Sequence, residues 1–158
     1  MRWGLLAVIL AVLAGAPQAS AAGCAGLSGH FAPVRGSAGA GNIVYTLSVH
    51  NGGTASCTLQ GLPVLQLYGL TGMTVPTHVV RDPRFTPKPF VLRPGKTAAA
   101  MTRFSPDVPG PGEPAVKGHC EPEAYTVLVS AGGATLVLPI RPATSVCEHG
   151  RLTFTPYR

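Results

Sequence analysis

Residues 51–63 constrain the fold more than any other stretch, because Asn51-Gly52-Gly53-Thr54-Ala55-Ser56-Cys57-Thr58-Leu59-Gln60-Gly61-Leu62-Pro63 places a Gly-rich turn, a cysteine and a Gly-x-Pro in direct succession. Glycines let the chain reverse, and a proline, which has no N–H to give to a ladder, bends it out of the strand that follows. The run before the turn is equally informative. Ile43, Tyr45, Leu47 and Val49 alternate with Thr46, Ser48 and His50, and a period of two over that length is a half-buried antiparallel strand.

The same reasoning places the remaining strands. They fall at residues 29–35 (an edge), 57–59, 64–68, 73–80, 90–92, 97–104, 124–130, 136–140 and 152–156, with turns at Pro94-Gly95 and Gly132-Gly133. Pro76 puts the 73–80 strand at an edge or gives it a bulge. Residues 105–118 hold four prolines and three glycines, so the segment reads as an irregular, mobile loop whose shortening costs only a logarithm of its length. Helical periodicity is absent apart from a short turn near 142–146. A total of about seven to nine short one-faced strands predicts an all-β protein, an antiparallel β-sandwich, with a closed barrel as the alternative.

Arg2, an apolar run at 5–13 and the Ala19-x-Ala21 pair form a secretory signal over residues 1–21, since the apolar run is far shorter than the roughly 20 residues of a membrane span. Residues 22–158 are then one domain, secreted or extracytoplasmic, with no transmembrane span. Ala21-Ala22-Gly23-Cys24 has the shape of a lipobox, but Ala21 stands where leucine is usual and Cys24 is far from the apolar run. A lipid on Cys24 would also leave an odd number of thiols, so the anchored form is disfavoured. The formal charge is +6, from 12 basic and 6 acidic residues. Export makes nucleic acid a poor partner for that charge.

Four cysteines, Cys24, Cys57, Cys120 and Cys147, in an oxidising compartment form two disulfides. Three pairings are possible; Cys24 with Cys57 and Cys120 with Cys147 are favoured, because each joins neighbouring strands within one half of the chain. The spacing Asn51-x-Gly53-x-x-x-Cys57-x-Leu59-x-Gly61-x-Pro63, followed by Leu92-x-Pro94-Gly95-x-x-Ala98, Cys120-x-Pro122 and Cys147-x-x-Gly150-x-Leu152, resembles a bacterial family of secreted proteins and lipoproteins with a domain of unknown function. The resemblance implies an immunoglobulin-like sandwich outside the cytoplasm, and no catalytic residues. Leu62 stands where the family more often has an aromatic residue, and Phe104 where tryptophan is expected as often as phenylalanine; both replacements are apolar.

No Gly-x-Ser-x-Gly elbow, His-Glu-x-x-His pair or Gly-rich phosphate loop occurs, and no cofactor is expected. Asp82, Asp107, Glu113, Glu121, Glu123 and Glu148 lie beside prolines or in loops, where carboxylates are solvated. His119-Cys120 and Cys147-Glu148-His149 offer a thiolate and imidazole set for zinc or copper, against the simpler expectation of a disulfide with exposed histidines and no metal. Arg81, Arg84, Lys88, Arg93, Lys96 and Arg103 face only Asp82 within one segment. They read either as a solvated surface or as a patch for an anionic envelope polymer or lipid headgroup. The expected function is that of an exported, non-enzymatic domain that binds at the cell envelope or outside the cell, its partner an anionic polymer or an extracytoplasmic protein. The alternatives are a module that pairs through the 73–80 edge, or a metal carrier or hydrolase using His119 and His149.

Overall fold

The computed structural model describes residues 24–114 and 120–158; the expected signal sequence with its cleavage site, and His119, lie outside the described residues. Among these are eleven strands: β1 (Leu27–Pro33), β2 (Ile43–Asn51), β3 (Cys57–Leu59), β4 (Val64–Tyr68), β5 (Thr74–Val75), β6 (His78–Arg81), β7 (Phe90–Leu92), β8 (Thr97–Phe104), β9 (Ala124–Ala131), β10 (Ala134–Thr144) and β11 (Arg151–Phe154). They form a five-stranded sheet in the order β1-β2-β8-β11-β6, a four-stranded sheet β10-β9-β4-β5, and a two-stranded pair β3-β7. The protein is all-β with two disulfides, as the strand pattern and cysteine count predict.

The two larger sheets meet through their apolar faces. Tyr45, Leu47 and Val49 of β2, Ala98, Ala100 and Phe104 of β8, and Leu152 and Phe154 of β11 are buried with Leu67 of β4 and Val127 and Val129 of β9. Phe31, Tyr45 and Phe104 form a row of tilted rings with centroids 5.0 and 5.2 Å apart. Gly29 lets β1 lie against β10, since a Cβ there would stand 3.1 Å from Leu136 and 3.2 Å from Leu138.

Three details differ from the sequence reading. Pro76 does not bulge one edge strand but divides it: β5 pairs with β4 in one sheet, whereas β6 pairs in parallel with β11 in the other. The Thr77 hydroxyl makes the break by accepting the Leu67 N–H and donating to the Val75 carbonyl, which closes the β4 ladder just past the proline. The turn expected near 142–146 belongs instead to β10, which runs to Thr144 with an irregular register after Pro139. The helical turn lies at Cys147–Gly150 and is left-handed, with φ of 56° at Glu148, 57° at His149 and 77° at Gly150.

The cysteines pair as favoured, Cys24 with Cys57 and Cys120 with Cys147, at Cα separations of 5.7 and 5.5 Å. The loop after β8 is irregular but not independent of the fold. Ser105 Oγ donates to the Val108 carbonyl and accepts its N–H, Val108 abuts Gly41, and the Glu113 carboxylate is built into the turn at residues 147–150. The expectation of a freely shortened loop therefore fails through residue 114, because a charged side chain within it is structural.

Candidate ligand-binding groove

The outer face of the five-stranded sheet is set by alternation. In β8, Ala98, Ala100, Thr102 and Phe104 are buried while Ala99, Met101 and Arg103 point outward. Register places Val44 of β2 and Thr153 of β11 on either side of Arg103. Beyond β11 the chain stays beside β8. The Thr155 N–H donates to the Met101 carbonyl at 2.8 Å, Met101 N–H donates to Thr155 Oγ1 at 2.9 Å, and Ala99 and Arg158 exchange both backbone bonds. Arg158 is thereby held over the same face.

A turn after β6 supplies the remaining wall. Asp82 N–H donates to the Phe154 carbonyl and Phe85 N–H to the Asp82 carbonyl, at 2.9 and 3.1 Å, so residues 82–85 fold over the edge of the sheet. The result is a concavity of about 430 Å³ with Val44, Met101, Thr153 and Thr155 beneath and Arg84, Phe85, Arg103 and Arg158 around it.

Its charge is unevenly committed. Arg84 grips the Asp82 carboxylate through Nε and a terminal nitrogen, the latter at 2.6 Å, and adds its backbone N–H. Those hydrogen bonds hold the Asp82 carboxyl at about 2 and raise the Arg84 guanidinium. Arg84 also stacks on Phe85, 5.6 Å from the ring centroid. Neither Arg103 nor Arg158 makes an ion-pair contact with a carboxylate among the described residues, although the Arg103 charge helps at longer range to lower the Asp82 carboxyl; the Arg158 guanidinium donates to the Met101 sulfur at 3.4 Å.

The six basic residues singled out by sequence do not gather as one patch. Arg84 and Arg103 meet in the concavity, and Arg81 stands next to it, donating to the Phe85 carbonyl. The Lys88 backbone is against Gly61. Arg93 and Lys96 occupy the turn before β8, about 23 Å from Arg103 along an extended strand. Arg158 escapes the sequence reading because only the strand order carries the end of the chain alongside β8.

A second cluster surrounds the Cys120–Cys147 disulfide, which consumes the thiols of the metal-carrier alternative. Glu113, Glu121 and His149 bring ligand-type atoms within 4.8 Å of one another. Both Glu113 oxygens are already engaged. Its carboxylate accepts the N–H groups of Gly110, Glu148 and His149, the last two converging because consecutive left-handed residues aim their N–H groups into one nest. Burial pushes the Glu113 carboxyl up, but the donated N–H groups and His149 outweigh it and the net shift is down. Glu121 is pushed up by burial and by its hydrogen bond to, and repulsion from, Glu113, against an opposing pull from His149. Glu113 and Glu121 are thus not the solvated turn carboxylates that the neighbouring prolines suggest.

The pair gives this end of the sandwich opposed pH responses. Glu113, whose folded value is lowered, stabilises the protein above the ordinary carboxylate range, and that contribution is lost as pH falls. Glu121, whose folded value is raised, stabilises it while protonated, and that contribution is lost as pH rises through the raised value. Melting followed from about pH 4 to about pH 8 should therefore show a loss on both sides, and Glu121→Gln should abolish the loss on the alkaline side only. An alkaline limb unchanged in that variant would remove Glu121 from the account.

No curated protein and no solved structure matches the chain. The family model described as "Domain of unknown function (DUF4232)" matches residues 24–158, a span that takes in both disulfides, the Asn51 turn and every strand of the sandwich, and the chain belongs to that family.

Proposed function

We propose that this protein is an exported, non-enzymatic binding domain of the immunoglobulin-like kind, acting at the cell envelope or outside the cell, and that it holds an anionic ligand in the concavity on its five-stranded sheet. Paired cysteines support an oxidising compartment, and among the described residues no helix is long and apolar enough to cross a membrane. The observation that carries the reading is the imbalance at the concavity. Its own acid, Asp82, is committed by hydrogen bonds to Arg84, while Arg103 and Arg158 open onto it with no carboxylate in ion-pair contact among the described residues, Arg103 acting on Asp82 only at longer range. Guanidinium groups so placed favour carboxylate or phosphate oxygens, which they can bind in a fork.

Binding of the protein to cell-wall fractions and to purified acidic polymers tests this. The double variant Arg103→Gln/Arg158→Gln should weaken binding by about ten-fold or more, and added salt should weaken binding by the parent protein. Arg93→Gln/Lys96→Gln, equal in charge removed but remote, should change it by less than about two-fold. Equal losses from both pairs would indicate diffuse attraction by net charge and would sink the site.

A further inference from the structure

Resting on the anion-binding reading above, we infer that the groove takes a linear polyanion, a chain of hydroxylated units with one anionic group per unit, laid along β11 so that successive anions meet successive arginines. The concavity does not end at Arg103. A second hollow of about 180 Å³ shares Arg103 and Thr153 with the first and is bounded further on by Asn42, Glu148 and Arg151. Because Arg103 and Thr153 line both, the two hollows adjoin at those residues.

The strand registers fix the spacing. Arg151 precedes Thr153 by two residues on the outward side of β11, and Thr153 is paired with Arg103. Arg158 is bonded to Ala99, four residues from Arg103 along β8. At about 3.3 Å per residue, the arginines are rooted in steps of about 7 and about 13 Å on a line on the order of 20 Å long. One small anion can use only a part of that line. A chain whose charges recur every 6 to 7 Å or so would meet all three arginines, with one repeat bridging the longer step.

The ground between the arginines suits hydroxylated units. Thr153 and Thr155 lie there with Met101 and Val44. Thr155 Oγ1 accepts the Met101 N–H, which leaves its own proton to donate, while Met101 and Val44 offer apolar surface to C–H groups. Arg151 sits 3.6 Å from Glu148, with both side chains about half exposed. An exposed pair of this kind is weak and easily exchanged for a ligand anion.

The test is affinity as a function of chain length, using glycerol-phosphate oligomers and galacturonic acid oligomers of about one to six repeats, so that the two series separate phosphodiester from carboxylate recognition. Affinity should rise by about ten-fold or more between one and about four repeats, the length that reaches all three arginines, and then level off as the groove fills. Arg151→Gln should cut that gain by several-fold, a larger factor than it costs single-repeat binding. Glu148→Gln, which also opens the surface pair but keeps the cation, should preserve the gain or increase it. A monomer bound as tightly as the tetramer, an affinity that keeps climbing beyond about four repeats without a plateau, or equal losses in the Arg151 and Glu148 variants would overturn the polymer inference. The anion site itself stands or falls separately, on single-repeat binding and its loss in Arg103→Gln.

Discussion

Replacing Asn51 by leucine is expected to lower the stability of the protein by about 3 kcal/mol, a fall in Tm on the order of 10 °C. The side chain is fully buried at the end of β2 and its amide works in both directions. Nδ2 donates to the carbonyls of Ala55 at 2.8 Å and Leu92 at 3.0 Å, and Oδ1 accepts the Gly53 N–H at 3.0 Å. Its backbone adds two more bonds, donating to Lys96 and accepting from Gly95. One residue therefore ties together the end of β2, the turn leading to Cys57, strand β7 and the turn into β8. Leucine keeps the branched outline but is larger, so the loss combines some overpacking with the hydrogen bonds, among them the one to the buried Leu92 carbonyl. Asn51→Asp should be worse at neutral pH, because a carboxylate would face two carbonyl oxygens with no proton to give, and it should recover in part as acid protonates it. A leucine variant melting within about 2 °C of the parent would show that the clamp contributes little.

That clamp is legible in the sequence only in part. The Asn51 turn, the alternation of β2, and the bounds of β4, β7 and β8 follow from local signals, since each of these strands buries one face and ends at a glycine or proline. The cysteine pairing is legible for the same reason, each bridge joining segments that turns bring back together. Contacts made by sequence-distant partners are not. The parallel pairing of β6 with β11 leaves no local mark on either strand, yet it is what sets the 82–85 turn beside Arg103 and Arg158. Glu113 reaches the turn at residues 147–150 from about 35 positions away, and a glutamate among prolines and glycines gives no hint that its carboxylate is buried. The basic segment reads as a run along the chain, whereas a sheet gathers charge across strands. Two of the six residues reach the groove, while Arg151 and Arg158 enter it from β11 and from the segment after it, whose position the sequence does not reveal.

Gly150→Ala is expected to cost more than any other glycine substitution outside the Asn51 turn, several kcal/mol in all, enough to threaten cooperative folding. Two effects add. Gly150 has φ of 77°, and an L-residue there costs roughly 1 to 2 kcal/mol by backbone sterics alone. In addition, a Cβ at this position would collide with the Pro76 carbonyl and stand 2.7 Å from the Thr77 nitrogen. Those atoms are backbone leading into β6, so relief would have to move the strand that pairs with β11 and carries the Asp82 turn. Gly36→Ala separates the two effects. Gly36 has nearly the same φ, 75°, with nothing within 4 Å of the place its methyl group would occupy, so it should show the backbone cost alone, roughly 1 to 2 kcal/mol. Denaturant melts of both variants give the difference directly. If they lost equal stability, the close approach of the turn at residues 147–150 to Pro76 would be too loose to matter, and the account of how β6 is seated beside β11 would fall with it.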